Sequence, residues 1–325
     1  MFGYLRFILA IMVVLSHTGV SFFTLSPGVM AVVVFYILAG FVVSHIYNDI
    51  LPNSKYKLFH FYKDRLLRVF PLYLYVCALT LIFITLTSYS NPSYSLTAVL
   101  GNALIIPLNF FMYADFGILK TINGDWWLIP PAWSLATELQ AYILLAIGIR
   151  FKLFNYFFII FSLVIYTVAN LSILHPDYFG YRFIIGVYFI FAAGAAIQRA
   201  STSSHHRYYL LLIYGVILIV AAVFYINNSF SPTYTRETLI GFLVGVPLVY
   251  GISKVKQKLP YNALLGSLSY GVFLSHFLSI WILNYMGIPL SHSYRYLLFV
   301  LLISLFISYI GILFVEKHVN KVRYS

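Results

Sequence analysis

The stretch RFILAIMVVLSHTG, residues 6–19, decides the fold. An apolar run opens on Arg6 and carries His17 eleven residues further on. That spacing is about 16 Å of helix rise, so the ring lies deep in any bilayer the segment crosses. Ionisable groups at such depth are costly and mark function by default.

The remainder of the chain has the same character. Its 325 residues are 62% hydrophobic and 9% charged, with a mean hydropathy of +0.92. Soluble domains carry about 25% charged residues, so a water-soluble fold is excluded. Apolar runs of about 20 residues recur along the sequence, the length a helix needs to span hydrocarbon. Backbone groups in lipid must be satisfied within the segment, which favours helices. A β-barrel would show short alternating segments, and these runs are continuous.

The fold class is therefore an all-α integral membrane protein. About ten transmembrane helices are expected, near 4–24, 29–48, 70–89, 131–150, 153–173, 181–199, 207–226, 236–253, 262–283 and 295–315. The first segment is too long, and its N-terminus too weakly charged, for a cleaved signal peptide, so it reads as a retained helix. Cys77, the one cysteine, lies in an apolar run, which excludes an intramolecular disulfide and a thiol metal site. The chain reads as one polytopic domain over 1–325, with no attached soluble domain.

A net charge of +12 raises nucleic acid as a partner, but the charges sit in short loops between the apolar runs. With the N-terminus inside, Arg6, Lys55, Lys57, Lys63, Arg65, Arg68, Arg150, Lys152, Arg199, Arg207, Lys254, Lys256, Lys258, Lys317, Lys321 and Arg323 are cytoplasmic. Lys120, Arg182, Arg236 and Arg295 are then outside, giving 16 against 4 of the 20 cations. This bias predicts an N-in, C-in topology. It also places residues 95–113, apolar but interrupted by Gly101, Asn102 and Pro107, as a re-entrant or interfacial segment. An eleventh crossing there would put the later basic loops outside. Trp126, Trp127, Trp133 and Trp281 fall at the outer face, where indole rings anchor at headgroup level.

Three ionisable residues share one depth. His17, Glu138 and His276 each lie seven residues from the outer end of their expected spans. A neutral imidazole paired with a carboxylate is the usual general base, because the carboxylate orients the ring and stabilises the imidazolium. The bland alternative is hydrogen-bonded glue between helices. No pair of ligand residues recurs at i, i+3 or i+4 on one span, so no metal site is expected. In KDRLLRVFPLY, residues 63–73, Arg65 and Arg68 share a helix side at the cytoplasmic edge. Two guanidiniums there can clamp phosphates, or anchor lipid headgroups. Lys63 and Asp64 read as solvated neighbours, and Ser16 as bonded within its own helix. His45, His60, His205, His206 and His318 fall near the cytoplasmic interface and need no special account.

Several motifs together resemble the acyltransferase-3 family of membrane O-acyltransferases. Arg6 and His17 match its arginine–ten residues–histidine signature. GVMAVVVFYILAGF (28–41) is similar to its second-helix block, with Ala39 in place of a serine. RLLRVFPLY (65–73) resembles its paired-arginine motif. PAWSLATELQAY (131–142) is similar to its Trp-Ser-Leu…Glu motif, with Leu139 where a second acidic residue is common. SLSYGVFLSH (267–276) matches its Ser-Tyr…His block.

The resemblance implies an inner (plasma) membrane enzyme with no bound cofactor. It would take an acyl group, usually acetyl, from cytoplasmic acyl-CoA and deliver it to a hydroxyl of an exopolysaccharide, O-antigen or lipid-linked sugar. His17 and Glu138 become the expected catalytic pair, and Arg6, Arg65 and Arg68 the expected docking residues for the polyanionic donor. Trp133, Ser134, Tyr270 and His276 are assigned substrate or structural roles. The implied partners are acyl-CoA, the glycan acceptor, membrane lipids and polysaccharide-synthesis proteins; nucleic acid is not among them. The rival reading is a proton-coupled transporter or flippase of lipid-linked sugar, with His17 and Glu138 as a proton relay. A non-catalytic scaffold is a third.

Overall fold

The computed structural model describes residues 1–19, 24–121, 124–227, 229–257 and 259–323. Residues 20–23, the expected outer end of the first span, and Lys258, one of the inward charges, lie outside the described residues. Among the described residues twelve α-helices follow one another: α1 Phe2–His17, α2 Pro27–His45, α3 Lys57–Thr87, α4 Leu96–Leu104, α5 Ala132–Arg150 and α6 Lys152–Asn170. Then come α7 Ile184–Arg199, α8 Ser204–Ile226, α9 Thr235–Lys254, α10 Asn262–Tyr285, α11 Tyr294–Gly311 and α12 Lys317–Arg323. Wider π turns extend α2 to Ile50, precede α7 from Tyr178, and join α11 to α12 across Ile312–Glu316. Among the described residues, nine helical segments are long and apolar enough to cross a membrane. The first expected span appears as α1, an apolar helix of 16 residues.

Two elements depart from the expected boundaries. The span expected from 70 begins at Lys57, and Pro71 lies inside it. Phe61, Arg65, Val69 and Leu72 are buried at helical spacing, so one buried stripe runs from the polar first turns into the apolar part. In 95–113 the interruption falls at Ile105 (φ 66°, ψ −55°) and not at Gly101 or Asn102. α4 starts under a Ser95 cap whose hydroxyl accepts from the Ala98 N–H at 3.1 Å. Its nine residues rise about 13 Å, far short of the hydrocarbon thickness. Asn102 stays helical because its side chain is fully used. It donates to the Ala98 and Phe116 carbonyls at 2.8 and 3.0 Å and accepts from the Leu128 N–H at 2.8 Å.

The chain divides into two compact units, and α3 and α5 contribute to both. The first unit holds residues 21–62 and 137–258. Its centre is the crossing of α2 and α7. A Cβ on Gly40 would stand 1.8 Å from the Phe191 carbonyl oxygen, and one on Gly194 1.9 Å from that of Ile37. Only glycine at both positions lets the two backbones approach, the small-residue packing that lipid-embedded helices use.

The second unit holds residues 2–20, 63–136 and 259–325. Here α1 lies against α10. The Gly3 N–H donates to the Asn262 side chain at 2.9 Å, and the Tyr4 hydroxyl to the Pro260 carbonyl at 2.8 Å. Behind α10, α11 packs through small polar residues. Gly271 faces Ser308, and the Ser279 and Ser304 hydroxyls bond at 2.8 Å. The unit also contains an element no helix pattern predicts, a small antiparallel sheet of β1 (Asn91–Pro92), β2 (Leu119–Thr121) and β3 (Gly124–Trp126), in that order.

Candidate active site

His17 closes the last turn of α1, and in the second unit it meets His276 of α10. The Nδ1 atom of His17 is 2.9 Å from Nε2 of His276, with ring centroids 5.0 Å apart. His276 is fully buried, whereas His17 is exposed. The Nδ1 of His276 faces the carbonyl oxygens of Phe273 at 2.8 Å and Val272 at 3.2 Å, in the preceding turn of its own helix. Thus two of the three residues expected at one depth, His17 and His276, are in direct contact, whereas the expected catalytic pair is His17 with Glu138.

Aromatic rings surround the pair. Phe277 lies 4.9 Å from the His17 ring and 5.1 Å from that of His276. Trp126, at the end of β3, packs on Phe277 at 5.8 Å, and Trp281 at 5.9 Å. The hairpin therefore delivers an indole within one ring of the exposed histidine. Beside it, Lys120 bonds Asp115 at 3.0 Å and Asp125 at 2.5 Å.

Arg6 lies on α1, eleven residues before His17 and partly buried. Arg65 and Arg68, in the second unit's part of α3, separate in role. Arg65 is 5% exposed and paired with Asp64, which also receives Arg323. Asp64 is therefore not the solvated neighbour expected from sequence; it ties α3 to the C-terminal helix. Arg68 is paired with Glu316 and sits 5.6 Å over the Tyr270 ring. Glu316 also accepts from the Ser267 hydroxyl at 2.9 Å. Tyr270 donates to the Val69 carbonyl at 2.9 Å, which locks α10 to α3.

The remaining expected residues sit in local structure. The Ser134 hydroxyl donates to the Pro131 carbonyl at 3.0 Å, closing the first turn of α5. The Trp133 carbonyl faces Asn109 at 3.4 Å. Glu138 lies in the first unit, where its carboxylate accepts from the Tyr142 hydroxyl one turn on. Among the described residues, no three His, Cys, Asp or Glu side chains gather as a metal site.

Sequence reasoning passed over Glu316 and Phe277, and read Asp64 as a solvated neighbour and Trp126 as an outer-face anchor. Glu316 carried a usable signal, a lone carboxylate at the end of the last apolar run. The others are found only through partners distant in the chain.

Known proteins place this chain. The model of the acyltransferase-3 family, described as an acyltransferase domain, matches residues 2–315. An uncharacterized protein of Aquifex aeolicus (strain VF5) is 44% identical over 212 residues, covering 64% of this chain and 95% of that protein. Protein 2 in the picA locus of Rhizobium radiobacter is 30% identical over 150 residues, covering 42% of this chain and 74% of that protein. No solved structure matches.

Proposed function

This chain belongs to the acyltransferase-3 family, and from that premise we propose that it moves an acyl group, most simply acetyl, from cytoplasmic acyl-CoA to a hydroxyl of a surface glycan or lipid-linked sugar. The observation that carries the reading is the exposed His17 ring held against buried His276 at 2.9 Å.

His17 takes the proton of the acceptor hydroxyl as its oxygen attacks the thioester carbonyl. A carbon–oxygen bond forms and the carbon–sulfur bond breaks. The CoA thiolate leaves, and the imidazolium returns the proton to sulfur. Coenzyme A is polyanionic and stays out of hydrocarbon, so its docking point is basic and cytoplasmic. Arg68 and Arg6 suit that role, with N- and C-termini inside the plasma membrane. Arg65 and its carboxylate partner support the clamp from beneath. Trp126 stacks on a sugar ring of the acceptor.

The test is transfer of label. Membranes containing the protein, given labelled acetyl-CoA, acquire label in glycan or glycolipid, and His17→Ala membranes with equal protein do not. Sugar export that depends on the protein, without transfer from any acyl-CoA, overturns the reading in favour of a transporter.

A further inference from the structure

The paired histidines carry more than proximity. Among the described residues the Nδ1 of His276 faces only carbonyl oxygens, at 2.8 and 3.2 Å, and a carbonyl accepts but cannot donate. That nitrogen therefore holds a proton. The ring is fully buried, and an imidazolium there would bear a heavy desolvation cost. A neutral ring protonated on Nδ1 presents a lone pair at Nε2. His17 Nδ1, 2.9 Å away, must then be the donor. A neutral His17 protonated on Nδ1 carries its own lone pair on Nε2.

We infer that His276 is the positioning residue of this site, fixing His17 in the Nδ1–H tautomer so that Nε2 is the atom that accepts the substrate proton. A free imidazole favours the opposite tautomer, with its proton on Nε2, which cannot act as a base there. The chain of orientation runs from the Phe273 carbonyl to His276 and on to His17. It does the tautomer-setting work of an orienting carboxylate without placing a second charge beside the base. The inference rests on the proposed role of His17 as base.

Two near-isosteric variants separate this role from packing. In His276→Gln the side-chain oxygen reaches the position of Nε2 and accepts from His17. In His276→Asn the amide can still bond the carbonyls but leaves nothing at the position of Nε2. Transfer from labelled acetyl-CoA is expected to survive in the glutamine variant. In the asparagine variant kcat is expected to fall by about 10–1,000-fold, less than the full contribution of a general base, with the KM for acetyl-CoA unchanged. Equal rates in the two variants at equal folded protein overturn the inference. Nitrogen-15 spectra of histidine-labelled wild-type protein, with His17 assigned by its loss in His17→Gln, test it independently of activity. A protonated Nδ1 and an unprotonated Nε2 on His17 are expected, and the reverse pattern overturns the tautomer. If the wild type transfers no acyl group, the proposed function fails while the spectra still decide the tautomer.

Discussion

His17 meets His276 at a sequence offset of 259 residues, and Gly3 meets Asn262 at the same offset. The two contacts lie fourteen residues apart on each helix, or about 21 Å of rise. Helices that keep one offset over that distance run parallel and in register. Fourteen residues are two heptads, the repeat that keeps one seam of a helix facing its partner. Ala10 and Ser269, midway along each helix, are both buried.

From this follows a long-range effect of Gly3. A Cβ there would stand 1.7 Å from the Asn262 carbonyl oxygen, so Gly3→Val forces the helix ends apart. Thermal unfolding in detergent should show a loss of about 1–3 kcal/mol, the usual cost of overpacking. Transfer should fall with it, although the base lies at the far end of α1. Unchanged stability in Gly3→Val would refute the register.

His17→Ala should lower transfer by about 10²–10⁴-fold, the contribution of a general base. Protein abundance and melting temperature should stay near wild type, because the ring is exposed. A comparable loss of folded protein would show a structural role instead.

The arginines should part company. Arg65 is buried, whereas its partner Asp64 is part-buried and keeps Arg323, so losing the guanidinium should cost about 1–3 kcal/mol. Arg65→Ala should therefore melt lower and yield less folded protein. Arg68→Ala would leave the buried Glu316 carboxylate without its guanidinium, so Arg68→Lys, which keeps a cation there, is the informative variant. It should fold and raise the KM for acetyl-CoA by about 10–100-fold, equivalent to one charge-assisted hydrogen bond, with little change in kcat. A normal KM in Arg68→Lys excludes bidentate donor binding by that side chain.

The hairpin should respond to acid. The Asp115 carboxylate accepts from the Gly117 N–H at 2.7 Å, and this bond, with Lys120, holds it below the usual carboxylate range. Its folded value is depressed, so its stabilisation is present above the ordinary carboxylate value and is lost as pH falls through the lowered one. Because the side chain is exposed, the effect is local and small. Hydrogen exchange of residues 117–121 should speed up over that window, and Asp115→Asn should remove the step. An identical pH response in the variant would exclude Asp115 as its source.

Much of this arrangement is legible from sequence for one physical reason. Lipid demands long apolar helices, so counting residues from helix ends gives depth, and depth alone puts His17 level with His276. Counting cannot show azimuth, and the partners of Arg65 and Arg68 depend on which way each helix faces. Asp64 looks solvated from its neighbours and is committed by Arg65 beside it and by Arg323, 259 residues on. The extension of α3 to Lys57 was hidden because its first turns are polar, with a buried stripe one residue wide. The sheet escaped because strands of two and three residues have no period to detect.

The shared offset of α1 and α10 also limits which changes of length the chain can accept. One residue added to α1 between Gly3 and His17 would turn the ring about 100° and raise it about 1.5 Å. The Nε2 of His276 would then face a neighbouring side chain. An equal addition to α10 restores the height, but the turn is undone only when both helices gain a whole heptad. Insertions in this lineage should therefore collect in the loops, while the interval from residue 3 to 17 and that from 262 to 276 lengthen together or not at all.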